Sequence, residues 1–241
     1  MSSKLSHFAD WSRGWKELRR EPADLKQVCK QVLDMWRERV PEECFRKSWH
    51  EIFGYRHNHK RGEGRGEQKI EGVFLGEKGE SSKEHRLVKN SRLDPIIVKG
   101  VAHKVALATR RRGQVITDCL GILYLRAERH PLAVEVKIGA NDVWFAVVEN
   151  LQQVKMLRSN FSNVKEYFND RDVPGLKDLK GAWGMVLAPT DYFQRKVDLW
   201  RKSLSLIDYL ARTTDARIML VSSDNIISNG ELRHVGGHWP Q

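Results

Sequence analysis

Cysteine is scarce, and its placement excludes two common stabilising devices. The 241-residue chain has three, Cys29, Cys44 and Cys119, with no CxxC spacing and no histidine at zinc-finger distance, so neither a disulfide framework nor a structural zinc centre is expected. Reduced thiols fit an intracellular protein, cytoplasmic or nucleoid-associated. Long apolar runs are also missing. No stretch is long enough to span a bilayer, and the N-terminus, with Lys4, His7, Asp10 and Trp11, lacks a signal-peptide core, so no membrane partner is expected. There is no internal repeat, and neither G-x-G-x-x-G nor G-x-x-x-x-G-K-[ST] occurs, which argues against a nucleotide-binding α/β enzyme.

Acidic charge is sparse in one half only. The net charge is +11, and residues 1–117 carry 26 Lys and Arg against 16 Asp and Glu, whereas residues 118–241 carry 16 against 15. Nearly the whole excess therefore lies upstream of Asp118. Such asymmetry points to a polyanion partner, with nucleic acid first, although a basic surface also solubilises without binding anything.

The chain divides by composition into a basic helical region at 1–55, a glycine-rich charged linker at 56–80 and an α/β domain at 81–241. Leu25, Val28, Val32, Met35 and Trp36 form one helical stripe in the first part. The linker is expected to be a loop with one short strand at most. Lys60 and Arg61 lie in it as candidate nucleic-acid contacts. Its adjacent His57-Asn58-His59 lacks the spread of an HNH nuclease motif. SSKEHRLVKNSRL, residues 81–93, opens on a serine cap and is expected to be a helix, with Glu84 in its first turn.

Two runs rich in β-branched residues follow, flanking a basic turn at Arg111-Arg112-Gly113, and read as a hairpin. Arg110, Arg111 and Arg112 are further candidate nucleic-acid contacts. AERHP is a second turn, and LAVEVKIG a third strand whose polar face is missing, as in a strand covered on both sides. Asn141-Asp142 starts an amphipathic helix. A buried strand at 181–189, a long helix from Thr190 to Arg212 and a last strand at 216–224 complete an α/β domain, one mixed central sheet flanked by helices. The tail ending GGHWPQ carries no readable motif.

Three charges stand in otherwise apolar strands. Glu135 and Lys137 alternate with Val134 and Val136, so a carboxylate and an ammonium share one face of a buried strand. Burying charge is costly unless it is paired or metal-bound. Asp118 lies in the neighbouring strand, about 4.8 Å away in a sheet, where its carboxylate and that of Glu135 can converge on one ion. Two carboxylates, the Val136 carbonyl and water suit Mg²⁺ or Mn²⁺. Lys137 beside them could hold or deprotonate a water, or stabilise charge developing on a phosphoryl group.

D-x₁₆-E-x-K at Asp118, Glu135 and Lys137, in a helix–strand–strand–strand–helix–strand order, resembles the PD-(D/E)XK nuclease superfamily. The resemblance implies a restriction-endonuclease-like core and a Mg²⁺- or Mn²⁺-dependent nuclease, an endonuclease acting on DNA, with catalytic Asp118, Glu135 and Lys137 and metal held by Asp118, Glu135 and the Val136 carbonyl. E-x-x-L-x-x-N-x-x-L at Glu84, Leu87, Asn90 and Leu93 is similar to the first helix of several members, which makes Glu84 a further metal candidate. Gln152 or Gln153, on the helix after E-x-K, matches a supporting glutamine found in some members. Met156 or Leu157 stands where the Q-x-x-x-Y version has tyrosine, and Thr117 precedes Asp118 where many members have proline. Blunt double-strand cutting would call for a homodimer. Two other readings stay open, a non-catalytic nucleic-acid-binding or assembly protein, and a module whose basic half binds an acidic protein.

Overall fold

The computed structural model describes residues 4–40, 66–76, 83–89, 96–108, 115–139, 141–169 and 181–240, with side chains described from Trp11 onward. Lys60, Arg61, Arg110, Arg111, Arg112, Asn90 and Leu93 lie outside these residues.

Apolar runs rich in β-branched residues build three long antiparallel strands. These are β2 (Ile96–Ala108), β3 (Val115–Leu125) and β4 (Glu128–Val136), paired β2–β3 and β3–β4. The β3–β4 turn is only Arg126-Ala127, Leu125 pairing with Glu128 and Arg126 taking φ 53°, so most of the expected turn AERHP is strand. From Pro131 to Val136 every residue of β4 is buried, because β5 (Trp183–Ala188) pairs beside it in parallel and a helix covers its outer face. β6 (Ile218–Ser222) extends the parallel set.

The expected restriction-endonuclease-like core, a mixed central sheet flanked by helices, is overturned, because the seven strands close into a barrel in chain order. Two segments account for the difference. Residues Glu84–Val88, expected as a helix, form β1, with His85 and Leu87 buried and Glu84 and Arg86 exposed, a period of two. The tail supplies β7 (Glu231–Gly237), antiparallel to β6 and parallel to β1 through Arg86↔Glu231, Leu87↔Leu232 and Val88↔Arg233. Each edge strand thereby satisfies the other's open backbone groups.

The barrel separates two apolar layers. Leu87, Val98, Cys119, Leu123, Val134, Val136, Met185, Leu187 and Val221 fill the inside. Leu120, Ile122, Ala133 and Val186 face outward into a larger cluster shared with the helices. Helix α1 (Lys4–Leu18) and α2 (Leu25–Arg37, capped by Asp24, which accepts the Lys26 and Gln27 N–H groups) bring Trp11, Trp15, Val32 and Trp36 into that outer cluster.

A helix, α3 (Glu67–Leu75), stands where the sequence suggested a loop or short strand. Ile70 and Phe74, four residues apart, put one apolar face on the inner layer. Room for it comes from Gly100 and Gly121, which pair across β2 and β3. A Cβ on Gly100 would lie 2.4 Å from the Phe74 carbonyl oxygen.

Helix α4 (Val143–Ser159), capped by Asp142 through the Phe145 N–H, is buried along most of its circumference. It is followed by α5 (Phe161–Asn169), α6 (Thr190–Gln194), α7 (Val197–Thr213) and α8 (Ile226–Asn229). The single helix expected from Thr190 to Arg212 is thus two, broken at Lys196, whose φ −133° and ψ 84° are non-helical. Among the described residues no helix is long and apolar enough to cross a membrane.

Candidate active site

Asp118, Glu135 and Lys137 come together where β4 leaves the barrel, beneath α4. The β3–β4 backbone ladder stops at Cys119↔Val134. Beyond that point side chains take over. The Thr117 hydroxyl donates to the Val134 carbonyl at 3.0 Å, and the Val136 N–H donates to Asp118 Oδ2 at 2.8 Å. A strand residue's N–H and C=O project from the same edge, so the Val136 carbonyl faces the gap that Asp118 bridges.

Glu135 is 3% exposed, and both its oxygens are engaged. Oε1 pairs with Lys137, and Oε2 accepts Gln153 Nε2 at 2.5 Å. The Gln153 amide is fixed at both ends, since Nε2 also donates to the Ile116 carbonyl at 2.9 Å and Oε1 accepts from Asn150 Nδ2 at 3.0 Å. Lys137, its side chain 12% exposed, also reaches Glu149 at 3.3 Å and lies over the Phe145 ring, and Glu149 is held by Arg19 at 3.2 Å.

Burial above all, and then the Asp118 and Glu149 carboxylates, push the Glu135 carboxyl well above the usual range. Burial works against the Lys137 ammonium, but Glu135 and Glu149 outweigh it and hold its pKa above the ordinary lysine value. The group is therefore a cation at neutral pH. Tyr192, buried on α6, finds no hydrogen-bond partner for its hydroxyl among the described residues, and burial followed by the nearby Asp142 and Glu135 carboxylates raises its pKa.

A second carboxylate pair adjoins the first. Glu71 on α3 is 2% exposed, its Oε2 2.6 Å from His103 Nε2 and its Oε1 2.8 Å from Lys104 Nζ. The same Lys104 ammonium contacts Asp118 Oδ1. Burial would raise the Glu71 pKa, but hydrogen bonds from His103 and Lys104 outweigh it and lower it.

The structure sorts the remaining candidates. Glu84 stands exposed in β1 opposite Lys99, with no contact to Asp118 or Glu135 among its described interactions. The helix-borne carboxylate beside Asp118 is Glu71, which sequence reasoning placed in a linker. Of the two glutamines, Gln153 touches Glu135, whereas Gln152 accepts a hydrogen bond from Arg19 at 2.5 Å. Lys104 was missed too, although a charge inside an apolar strand is the same signal that marks Glu135.

Among the described residues no group of three His, Cys, Asp or Glu side chains is gathered as a metal site. The donors nevertheless fit a hard divalent cation. Asp118 and Glu135 offer carboxylate oxygens, and Val136 a carbonyl on the side that Asp118 bridges. Comparison with family models, curated proteins and solved structures finds no match to the chain.

Proposed function

We propose that the chain is a metal-dependent nuclease hydrolysing phosphodiester bonds in nucleic acid, DNA in the first instance. The observation carrying this reading is the convergence of Asp118, Glu135 and Lys137, with Gln153 orienting Glu135 from the helix behind. Function is argued from this site and not from the barrel, since unrelated folds host the same chemistry. Asp118, Glu135 and the Val136 carbonyl would hold Mg²⁺ or Mn²⁺, which when bound polarises a phosphoryl oxygen and lowers the pKa of water. Lys137, charged at neutral pH, serves as a cation that orients a water or offsets charge developing on the phosphoryl oxygens, and not as a base. Gln153 keeps the buried Glu135 carboxylate in one orientation.

The test is incubation of supercoiled plasmid and labelled duplex with Mg²⁺ or Mn²⁺. Wild-type protein should nick or cleave, and Asp118→Asn and Lys137→Met should lose at least about 10²-fold of the rate while remaining folded. Intact DNA and RNA with both metals would sink the proposal.

A second reading, a nucleic-acid-binding protein without catalysis, is favoured by one observation. All four carboxylate oxygens of Asp118 and Glu135 already have protein partners. It expects salt-dependent binding that survives both substitutions.

A further inference from the structure

We infer that the cavity between the start of α4 and the break separating α6 from α7 is a subsite for a phosphate oxyanion of a nucleic-acid strand, with the Tyr192 hydroxyl as its buried donor. This rests on the nucleic-acid part of the proposed function. It names where the strand's backbone is gripped beside the candidate active site.

The cavity measures about 180 Å³, several times the roughly 30 Å³ that one water takes in the liquid. Phe145 forms one wall, and its ring lies 5.9 Å from Lys137 Nζ, so the cavity adjoins the site already described. Tyr192 forms another wall and is 3% exposed. Its hydroxyl is buried without a partner among the described residues. An unpaired buried hydroxyl carries a free-energy cost that an acceptor entering the cavity would relieve. Burial raises the pKa of this hydroxyl, and among the nearby acids Asp142, which lines the same cavity, raises it most. The phenol therefore keeps its proton at neutral pH and meets an anion as a donor.

The rest of the wall supplies the charge. The helical pattern from Thr190 onward breaks at Lys196, and both Arg195 and Lys196 line the cavity. Neither is held in a tight internal pair. Arg195 meets Asp191 at 3.1 Å in an exposed i, i+4 pair and reaches the Gly139 carbonyl at 3.3 Å, while Lys196 stands 3.7 Å from Asp142 Oδ2. Exposed pairs of this kind are weak and give way to another anion. Asp142 is the single acid among the described lining residues, and its Oδ1 is engaged as the cap of α4 by the Phe145 N–H. Two cations against one carboxylate leave one positive charge, beside the positive end of a seventeen-residue helix. That balance suits a singly charged phosphodiester. A nucleic-acid strand carries successive phosphates, so one held here brings its neighbour toward Lys137 across the Phe145 ring.

The test titrates the full chain against fluorescein-labelled duplex DNA in EDTA, read by fluorescence anisotropy over a range of salt, with thermal unfolding as the structural control. Tyr192→Phe should bind about tenfold more weakly. Its salt slope should be unchanged, because no charge is lost, and its unfolding midpoint should not fall, because the hydroxyl has no partner to lose. Arg195→Met should weaken binding and lower the slope of log Kd against log salt by about 1. Unchanged affinity in Tyr192→Phe, or a lowered midpoint, overturns the inference. Calorimetric binding of inorganic phosphate that is lost in Tyr192→Phe while DNA affinity stays intact assigns the cavity to a free anion and also overturns it. Mg²⁺-dependent plasmid cleavage by the same preparations separates the subsite from the catalysis. Tenfold weaker binding by Tyr192→Phe without cleavage by any form supports the subsite and removes the nuclease. Cleavage by wild type with Tyr192→Phe unaltered in affinity does the reverse.

Discussion

Replacing Lys137 by methionine should make stability steeply dependent on pH, and the size of the effect follows from the burial of Glu135. The Lys137 side chain is itself largely buried and pairs directly with Glu135. Removing one member of a buried ion pair costs about 3–5 kcal/mol when the other stays charged. Glu135 has a way out, because burial and the neighbouring acids already raise its pKa. Without Lys137 it takes a proton. The cost of holding it protonated grows as pH rises above the unfolded glutamate pKa of about 4.3.

The sign is set by where the proton sits. A carboxyl whose folded pKa exceeds its unfolded value binds a proton in the native state that the unfolded chain releases. The associated stability is fully present below the unfolded pKa and is lost as pH rises toward and through the folded one. Lys137→Met should therefore stay close to wild type at pH 5 and fall below it, by at most about 3–5 kcal/mol, as pH rises and wild-type Glu135 ionises against Lys137. Urea titrations from pH 5 to 8, followed by tryptophan fluorescence, give the difference directly. Adding Glu135→Gln should flatten the dependence, because the titrating group is gone. A difference that is constant with pH, or that shrinks as pH rises, would refute the account of Glu135 as a buried acid neutralised by Lys137.

Gln153→Ala should cost about 1–3 kcal/mol, since it leaves the Ile116 carbonyl and Glu135 Oε2 short of a donor, and should slow DNA cleavage. Gln152→Ala, which among the described residues frees Arg19, should leave the rate per folded molecule unchanged, and equal rate losses in both would remove the distinction. Gly100→Ala should lower stability by about 1–3 kcal/mol, because its Cβ would meet the Phe74 carbonyl at 2.4 Å. Thermal unfolding checks it, and an unchanged midpoint would mean that α3 does not depend on that approach.

Local pattern carried part of the fold into view and not the rest. β3 and β4 were legible because they are apolar runs bounded by turn residues, and the helix α4 because Asp142 caps an apolar period. β1 was not. SSKEHRLV opens on serines with a glutamate soon after, both good at a helix start, and its last five residues become strand through pairing with β2 and with β7, the latter nearly 150 positions away. No local propensity reports a partner that distant. The tail was opaque for the same reason. α3 was hidden by its flanking glycines, and its two apolar anchors, Ile70 and Phe74, gain meaning only from the smooth floor at Gly100 and Gly121.

The site divides in a similar way. Asp118, Glu135 and Lys137 could be picked out because a charge on an apolar strand demands a partner. That demand says nothing about which partner arrives. Gln152 and Gln153 are adjacent in sequence, yet one helix step of about 100° turns the first toward α1 and the second toward the sheet. Lys104 carried the same signal as Glu135, a charge within IIVKGVAHKVALA, but that run also holds Lys99 and His103, so alternation offered an easier explanation. What distinguishes Lys104 is its positive φ and the two acids it bridges.

The consequence is a connected charge chain running from Glu71 through Lys104, Asp118 and the Val136 N–H to Glu135, Lys137, Glu149 and Arg19. Each acid in it has at least one cationic or N–H partner, so removing any one member changes the electrostatic balance of its neighbours. Lys137→Met and Lys104→Gln act at opposite ends of Asp118, and their stability effects should therefore depart from additivity.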